Sequence, residues 1–194
     1  QIPPSPVTYR TVPADGIELE GNKLVAVEVG HTDTDDTTVL HVPSIGLVVA
    51  GDVAYNGVHQ YLLESAHGGI EAWLVALDEV AALQPRAVVA GHKNKDLPDD
   101  PAIIEQTREY LLDARRLLDE KPSPRDYFDA MIALYPDRLN TGPVRYTAVA
   151  LLPEPTRYYS VHDEVTQWFF DDYLTTWIGV GAGSIERGPE FILD

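Results

Sequence analysis

Short apolar and β-branched runs, each bounded by glycine, proline or acidic residues, dominate the first part of the chain. The runs at 17–20, 23–29, 37–42 and 46–50 are too short for helices, and their composition favours strands. The Gly21-Asn22 pair between the first two runs suits a two-residue turn, so the sequence predicts a hairpin there. A further strand is predicted over 87–90, where a Val/Ala run ends at Gly91.

Before that last strand the apolar period changes to that of a helix. Gly68-Gly69 opens the segment, and Pro85 ends it because proline cannot continue a helix. One wide apolar face is formed by residues three and four apart, namely Ile70, Trp73, Leu74, Leu77, Val80 and Ala81. Strands followed by a helix and another strand predict a sheet covered by helices, which is the α/β layered class.

The rest of the chain is predicted to be helical. One helix begins near Pro101 with Asp100 as its N-cap, and two more are expected over 125–134 and 144–152, although the alternation of the last also permits a strand. Pro153-Glu154-Pro155 is typical of a linker, and a helix over 161–177 follows it. That helix carries an aromatic face that favours a core or a homo-oligomer interface, formed by Val165, Trp168, Phe169, Tyr173, Leu174 and Trp177.

Charge and composition narrow the function classes. The 194 residues carry a formal net charge of −17, which argues against nucleic acid and anionic membrane surfaces as partners because both need clustered Lys and Arg. The chain has no cysteine, which excludes disulfides, thiol nucleophiles and Cys-ligated zinc. No signal peptide or span-length apolar run is visible, so we expect a cytoplasmic protein. The first residue is Gln, so the sequence is expected to begin inside a longer gene product.

Three metal-ligand side chains each follow a glycine at the end of a predicted strand. They are His31 in Gly30-His31-Thr32, Asp52 in Gly51-Asp52 and His92 in Gly91-His92. Strand ends hold side chains in fixed positions, and glycine lets the backbone turn sharply before each ligand. Imidazole and carboxylate groups suit zinc, manganese or iron. If the strands are neighbours, these residues form part of a metal site for a small-molecule substrate.

The order and spacing of these motifs resemble the second half of the metallo-β-lactamase superfamily, over roughly residues 17–97. The resemblance implies the second half of an αββα sandwich with a helical C-terminal extension. It implies that His31 binds one zinc ion, that Asp52 bridges two, and that His92 binds the other. It also implies a hydrolase in which a metal-bound water attacks an ester, lactone, lactam or thioester bond.

The leading motif of that family, His-x-His-x-Asp-His, does not occur in this sequence. It would lie upstream of residue 1 and would supply the remaining ligands, so we expect the chain to represent a fragment whose own zinc occupancy is incomplete. We divide it into residues 1–97, the second half of a metallo-β-lactamase-like domain; 98–155, a helical extension; and 156–194, the aromatic helix with its glycine-rich tail, which resembles the start of a SnoaL-like domain.

Four further residues are candidates for the surroundings of the metals. Asp35 or Asp36 would orient His31 through its other ring nitrogen, while Asn56 and His59 would lie near the substrate. Loop packing is the alternative for each. At the level of function, the alternative to a hydrolase is a non-catalytic binding or oligomerisation module that keeps a partial metal site. Within the fold, an iron-dependent redox branch uses the same ligand types.

Overall fold

The strands and helices of this computed structural model follow the periodicity of the sequence closely. The structure describes residues 11–65 and 68–152, so the predictions for 161–177 and the glycine-rich tail lie outside the described residues. The strands are β1 (Ile17–Leu19), β2 (Asn22–Gly30), β3 (Thr37–Val42), β4 (Leu47–Gly51) and β5 (Ala87–Ala90). The helices are α1 (Gly69–Ala82), α2 (Ile103–Asp119), α3 (Pro124–Leu134) and α4 (Gly142–Leu151).

The five strands form one mixed sheet in the order β1-β2-β3-β4-β5. Neighbouring strands are antiparallel except β4 and β5, which are parallel and are connected through α1. A parallel pair needs such a crossover because a tight turn cannot return the chain to the starting edge. The carboxyl ends of β4 and β5 are therefore side by side. The α/β class predicted from the sequence is confirmed.

Sheet and helices share one apolar core. Val39, Val48 and Val88 are buried in the sheet and Trp73 in α1, and they belong to the same cluster as Leu111 of α2. The indole nitrogen of Trp73 donates to the carbonyl of Val53 at 2.8 Å, which satisfies its one polar group inside the core. Residues from α3 and α4 join the same cluster, among them Tyr127, Met131 and Val144. The described residues lie in a single compact unit, Gln1–Pro153. The division of the chain at residues 97 and 155 stays a prediction.

Three local predictions are corrected or decided. The hairpin turn is Glu20-Gly21, not Gly21-Asn22, because Leu19 pairs with Asn22 and both turn residues have positive φ, 50° and 79°. The segment 144–152, which also permitted a strand, is a helix. Helix α2 begins at Ile103 rather than at Pro101, although the carboxylate of Asp100 accepts from the backbone nitrogen of Ala102 at 2.8 Å. Among the described helices, none has the length and apolar character needed to cross a membrane.

Candidate functional site

Asp52 and His92 come together at the adjacent ends of β4 and β5. His92 Nε2 lies 3.5 Å from Asp52 Oδ1, and both side chains are about half exposed, 56% and 44%. The backbone nitrogen of Gly91 donates to the carbonyl of Gly51 at 2.7 Å, which carries the strand pairing up to the two corners. The pair is thus held by the sheet itself and is open to solvent on one side.

Each of the two glycines before these side chains has a structural reason. Gly51 has a φ of +56°, a left-handed conformation that glycine adopts without strain. At Gly91 the reason is space, since a Cβ there would lie 2.5 Å from Asp52 Oδ1. The glycines predicted to precede the ligands therefore have two different functions, a turn at one corner and a close approach at the other.

His31 follows β2 at the same edge of the sheet, but β3 lies between β2 and β4. Two strand spacings amount to about 10 Å. Its Nδ1 lies 2.7 Å from Asp35 Oδ1, and its Nε2 lies 3.1 Å from the carbonyl oxygen of Glu64. A carboxylate and a carbonyl both accept hydrogen bonds, so each ring nitrogen of His31 faces an acceptor in this arrangement. A metal at His31 would have to displace one of these two contacts.

Asp33 is the carboxylate of the loop after β2 that is buried near the Asp52–His92 pair. It is 6% exposed, and its Oδ2 accepts from the hydroxyl of Tyr55 at 3.1 Å. The ring of Tyr55 stacks on His92 with centroids 5.2 Å apart and planes 19° apart. Asp33, Tyr55, His92 and Asp52 therefore form a connected group, of which only His92 and Asp52 are predicted site residues.

Electrostatics agree with this proximity. Burial raises the pKa of Asp33 above its usual 3.8, and the charge of Asp52 raises it further, against the hydrogen bonds from Tyr55 and Thr32 and the nearby His92. Burial, followed by the charge of Asp33, also raises the pKa of Tyr55 far above its ordinary value. The hydroxyl of Tyr55 therefore keeps its proton and donates to Asp33.

The other predicted surroundings of the metals lie in different places. Asp35 contacts His31, whereas Asp36 is an exposed residue with a φ of +54°. Asn56 supports the loop that carries His92, because its backbone nitrogen donates to the His92 carbonyl at 3.1 Å and its side-chain amide donates to Pro98 at 2.8 Å.

His59 lies in the core at 1% exposure, with its Nδ1 3.1 Å from the hydroxyl of Tyr110. Burial, and second the charge of Arg138, lower the pKa of His59 to about 4. Substrate contact by Asn56 and His59 stays a prediction.

The described residues do not by themselves fit a pair of zinc ions. Within residues 11–65 and 68–152, no three His, Asp or Glu side chains converge in an arrangement that could hold a metal. Asp52 and His92 supply two donors, while a catalytic zinc takes three protein ligands and leaves a position open. His31 would have to leave Glu64 before it could contribute.

Comparisons with known proteins place the fold. Residues 2–92 match the model of the metallo-beta-lactamase superfamily. A metallo-beta-lactamase family protein from Thermus thermophilus aligns over 94% of this chain and 53% of its own length, with 19% identity and a TM-score of 0.50. A metallo-beta-lactamase from Pontibacter korlensis aligns over 54% of this chain and 47% of its own, with 19% identity and a TM-score of 0.44. No curated protein sequence matches significantly.

The chain spans about half the length of these solved structures. The Thermus protein aligns with nearly the whole chain, so its alignment extends into the helices that follow β5 as well as the sheet. An identity below one quarter supports the fold and nothing finer. Residues 2–92 are thus similar to the metallo-beta-lactamase superfamily, and the described part of the chain has the α/β fold of its solved members.

Proposed function

We propose that this chain is part of a metal-dependent hydrolase acting on an ester, lactone, lactam or thioester bond of a small molecule. The observation that carries the proposal is the Asp52–His92 pair, two metal-ligand side chains 3.5 Å apart at adjacent parallel strand ends. Zinc is the first candidate metal, and manganese or iron suits the same ligand types. His31 is the third proposed ligand, on the condition that its contact with Glu64 opens.

Zinc binding by the full chain tests the ligands. After removal of metal with a chelator, zinc is titrated calorimetrically into the wild-type chain and into Asp52→Asn and His92→Gln. We expect each substitution to weaken binding at least about tenfold, or roughly 1.4 kcal/mol, because each removes one of two paired donors. Asp96→Asn is the control, since this carboxylate is exposed and pairs with Lys95 in the same loop region. Equal affinity in all four proteins, or no binding in any, would refute the ligand assignment.

Hydrolysis assays with zinc present test the reaction class. A lactone, a thioester, an ester and a β-lactam probe are compared in the wild-type chain and in Asp52→Asn. We expect hydrolysis of one class to fall in the variant.

A non-catalytic module with a partial metal site is the second candidate, and the engagement of both nitrogens of His31 favours it. Zinc binding that depends on Asp52 and His92 without hydrolysis of any probe would support this candidate and overturn the hydrolase.

A further inference from the structure

Tyr55 is fixed at a point where three parts of the fold meet. Its backbone nitrogen donates to Thr107 Oγ1 of α2 at 3.1 Å, and Thr107 Oγ1 lies 3.4 Å from its carbonyl. Its ring is packed between Trp73 of α1, with centroids 6.1 Å apart, and His92 after β5. The residue is 2% exposed, so neither its backbone nor its ring is free to move independently of the core.

The hydroxyl of Tyr55 extends this fixed position to the loop after β2. It donates to Asp33 Oδ2, while the hydroxyl of Thr32 lies 3.3 Å from Asp33 Oδ1. Thr32 is fully buried and lies 2.9 Å from the hydroxyl of Thr37, at the start of β3. Both oxygens of Asp33 are therefore held, one from its own loop and one from Tyr55.

We propose that Tyr55 is a positioning residue: its ring sets the plane of the His92 imidazole beside Asp52, and its hydroxyl holds Asp33 towards the same pair. One side chain thereby couples the loop after β2, which carries His31, to the corners that end β4 and β5. What the Asp52–His92 pair does chemically rests on the proposed function. The positioning itself does not require a metal.

A tyrosine that only fills the core would also be buried at position 55. A positioning residue differs from it because its ring face contacts His92 and its hydroxyl holds Asp33. A purely structural tyrosine affects stability without fixing the environment of His92. Tyr135 provides a matched control, because its hydroxyl donates to Asp113 Oδ2 at 2.8 Å while its ring packs against Tyr110, whereas His92 stacks on Tyr55. Tyr135→Phe removes the same kind of bond as Tyr55→Phe.

The test is NMR on the metal-free full chain with labelled histidine and aspartate, with His92 assigned through His92→Gln. In Tyr55→Leu we expect the ring protons of His92 to lose ring-current shielding. In Tyr55→Phe this shielding is kept while the carboxyl carbon of Asp33 shifts. In Asp33→Asn, which keeps the tyrosine, the His92 signals should move as well, and this variant serves if Tyr55→Leu does not fold. Tyr135→Phe should change neither residue.

The proposal is overturned if His92 keeps its wild-type signals in Tyr55→Leu, if Asp33 keeps its wild-type signal in Tyr55→Phe, or if Tyr135→Phe shifts both residues equally. Failure of the hydrolase proposal is detected separately, because it concerns zinc binding and turnover, whereas these signals are recorded without metal.

Discussion

Gly91 is the residue that allows the carboxylate of Asp52 to lie against the end of β5. A methyl group at Gly91 would lie 2.5 Å from Asp52 Oδ1 and 3.2 Å from the carbonyl carbon of Gly51. One of these contacts is with backbone and cannot be relieved by rotating a side chain. We expect Gly91→Ala to lower the free energy of unfolding by about 1–3 kcal/mol, as overpacking does, and to separate Asp52 from His92. Denaturant unfolding measures the first effect, and zinc titration the second.

Gly142→Ala is the control for this substitution. A Cβ at Gly142 would meet Asn140 Oδ1 at 3.5 Å, an ordinary contact, and the residue opens helix α4. Alanine is favoured over glycine in a helix by up to about 1 kcal/mol, but a Cβ directly before Pro143 offsets part of this preference, so the variant should stay within about 1 kcal/mol of the wild type. A Gly91→Ala chain as stable as Gly142→Ala would show that the strand ends tolerate the added methyl group.

His59 makes the stability of the chain depend on pH. The pKa of His59 is lowered from 6.5 to about 4, so between these values the unfolded chain binds more protons than the folded chain. Stability from this residue is fully present above about pH 6.5 and is lost as the pH falls towards 4. The loss is about 3 kcal/mol by pH 4, since each pKa unit between 6.5 and 4 corresponds to about 1.4 kcal/mol. Chemical unfolding of the wild-type chain at a series of pH values measures it.

The His59→Asn variant separates this contribution from the carboxylates that titrate in the same range. Asparagine has no proton to gain, so the wild-type curve should fall more steeply than the variant curve between pH 6.5 and 4. The raised pKa of Asp33 acts in the opposite direction and is common to both proteins, so it cancels in the comparison. Parallel curves would mean that folding does not lower the pKa of His59.

For single residues, the sequence could identify side chains that can bind a metal or a proton, but it could not predict which of them are buried. Asp33 and Asp35 are two residues apart in one acidic loop, and their composition gives no reason to separate them. Asp33 is buried because Tyr55, which follows another strand, lies over it, whereas Asp35 remains exposed and contacts His31. A signal for such a contact between distant segments is not present in local periodicity.

At the scale of elements, the β1–β2 hairpin can be stabilised at its turn. Glu20 occupies the first central position with a φ of +50°, and asparagine is favoured over glutamate in this left-handed conformation. We expect Glu20→Asn to raise the free energy of unfolding by about 0.5–1 kcal/mol, measured by thermal unfolding. Glu18→Asn removes the same charge from β1 itself, where asparagine is unfavourable, and should not stabilise the chain. A gain at both positions would indicate relief of charge repulsion rather than a better turn.

The elements were predictable because their signals are local. The strand 87–90 and the helix between Gly68 and Pro85 depend on runs of apolar residues with clear breaks on either side. The hairpin register was predicted wrongly by one residue, because Gly21 can be either residue of a two-residue turn. The pairing of Leu19 with Asn22 is decided by both strands together, which a reading of the turn alone does not include.

The arrangement of the three predicted ligands belongs to the whole molecule. Their positions at strand ends were predictable, since each ends an apolar run. Which strands are neighbours was not: β4 and β5 bring Asp52 and His92 together, while the insertion of β3 separates His31 from them. Strand order depends on pairing across the entire sheet, and His31 turns to Asp35 and Glu64 as the nearest acceptors.

The acidic excess sets the response of the whole molecule to salt. With 31 Asp and Glu against 14 Lys and Arg, the net charge of −17 repels itself most strongly in the compact state. Salt also weakens the ion pairs, but those that link exposed side chains, such as Arg125–Asp129, contribute little in water. Repulsion should therefore dominate, and raising sodium chloride from about 20 to about 200 mM at neutral pH should increase the melting temperature by a few degrees.

Near the isoelectric point of about 4.5 the same addition of salt should have a much smaller effect on the melting temperature, because the net charge is then close to zero. An equal increase at both pH values would attribute the effect to salt acting on apolar burial, and a decrease at neutral pH would mean that the ion pairs outweigh the repulsion.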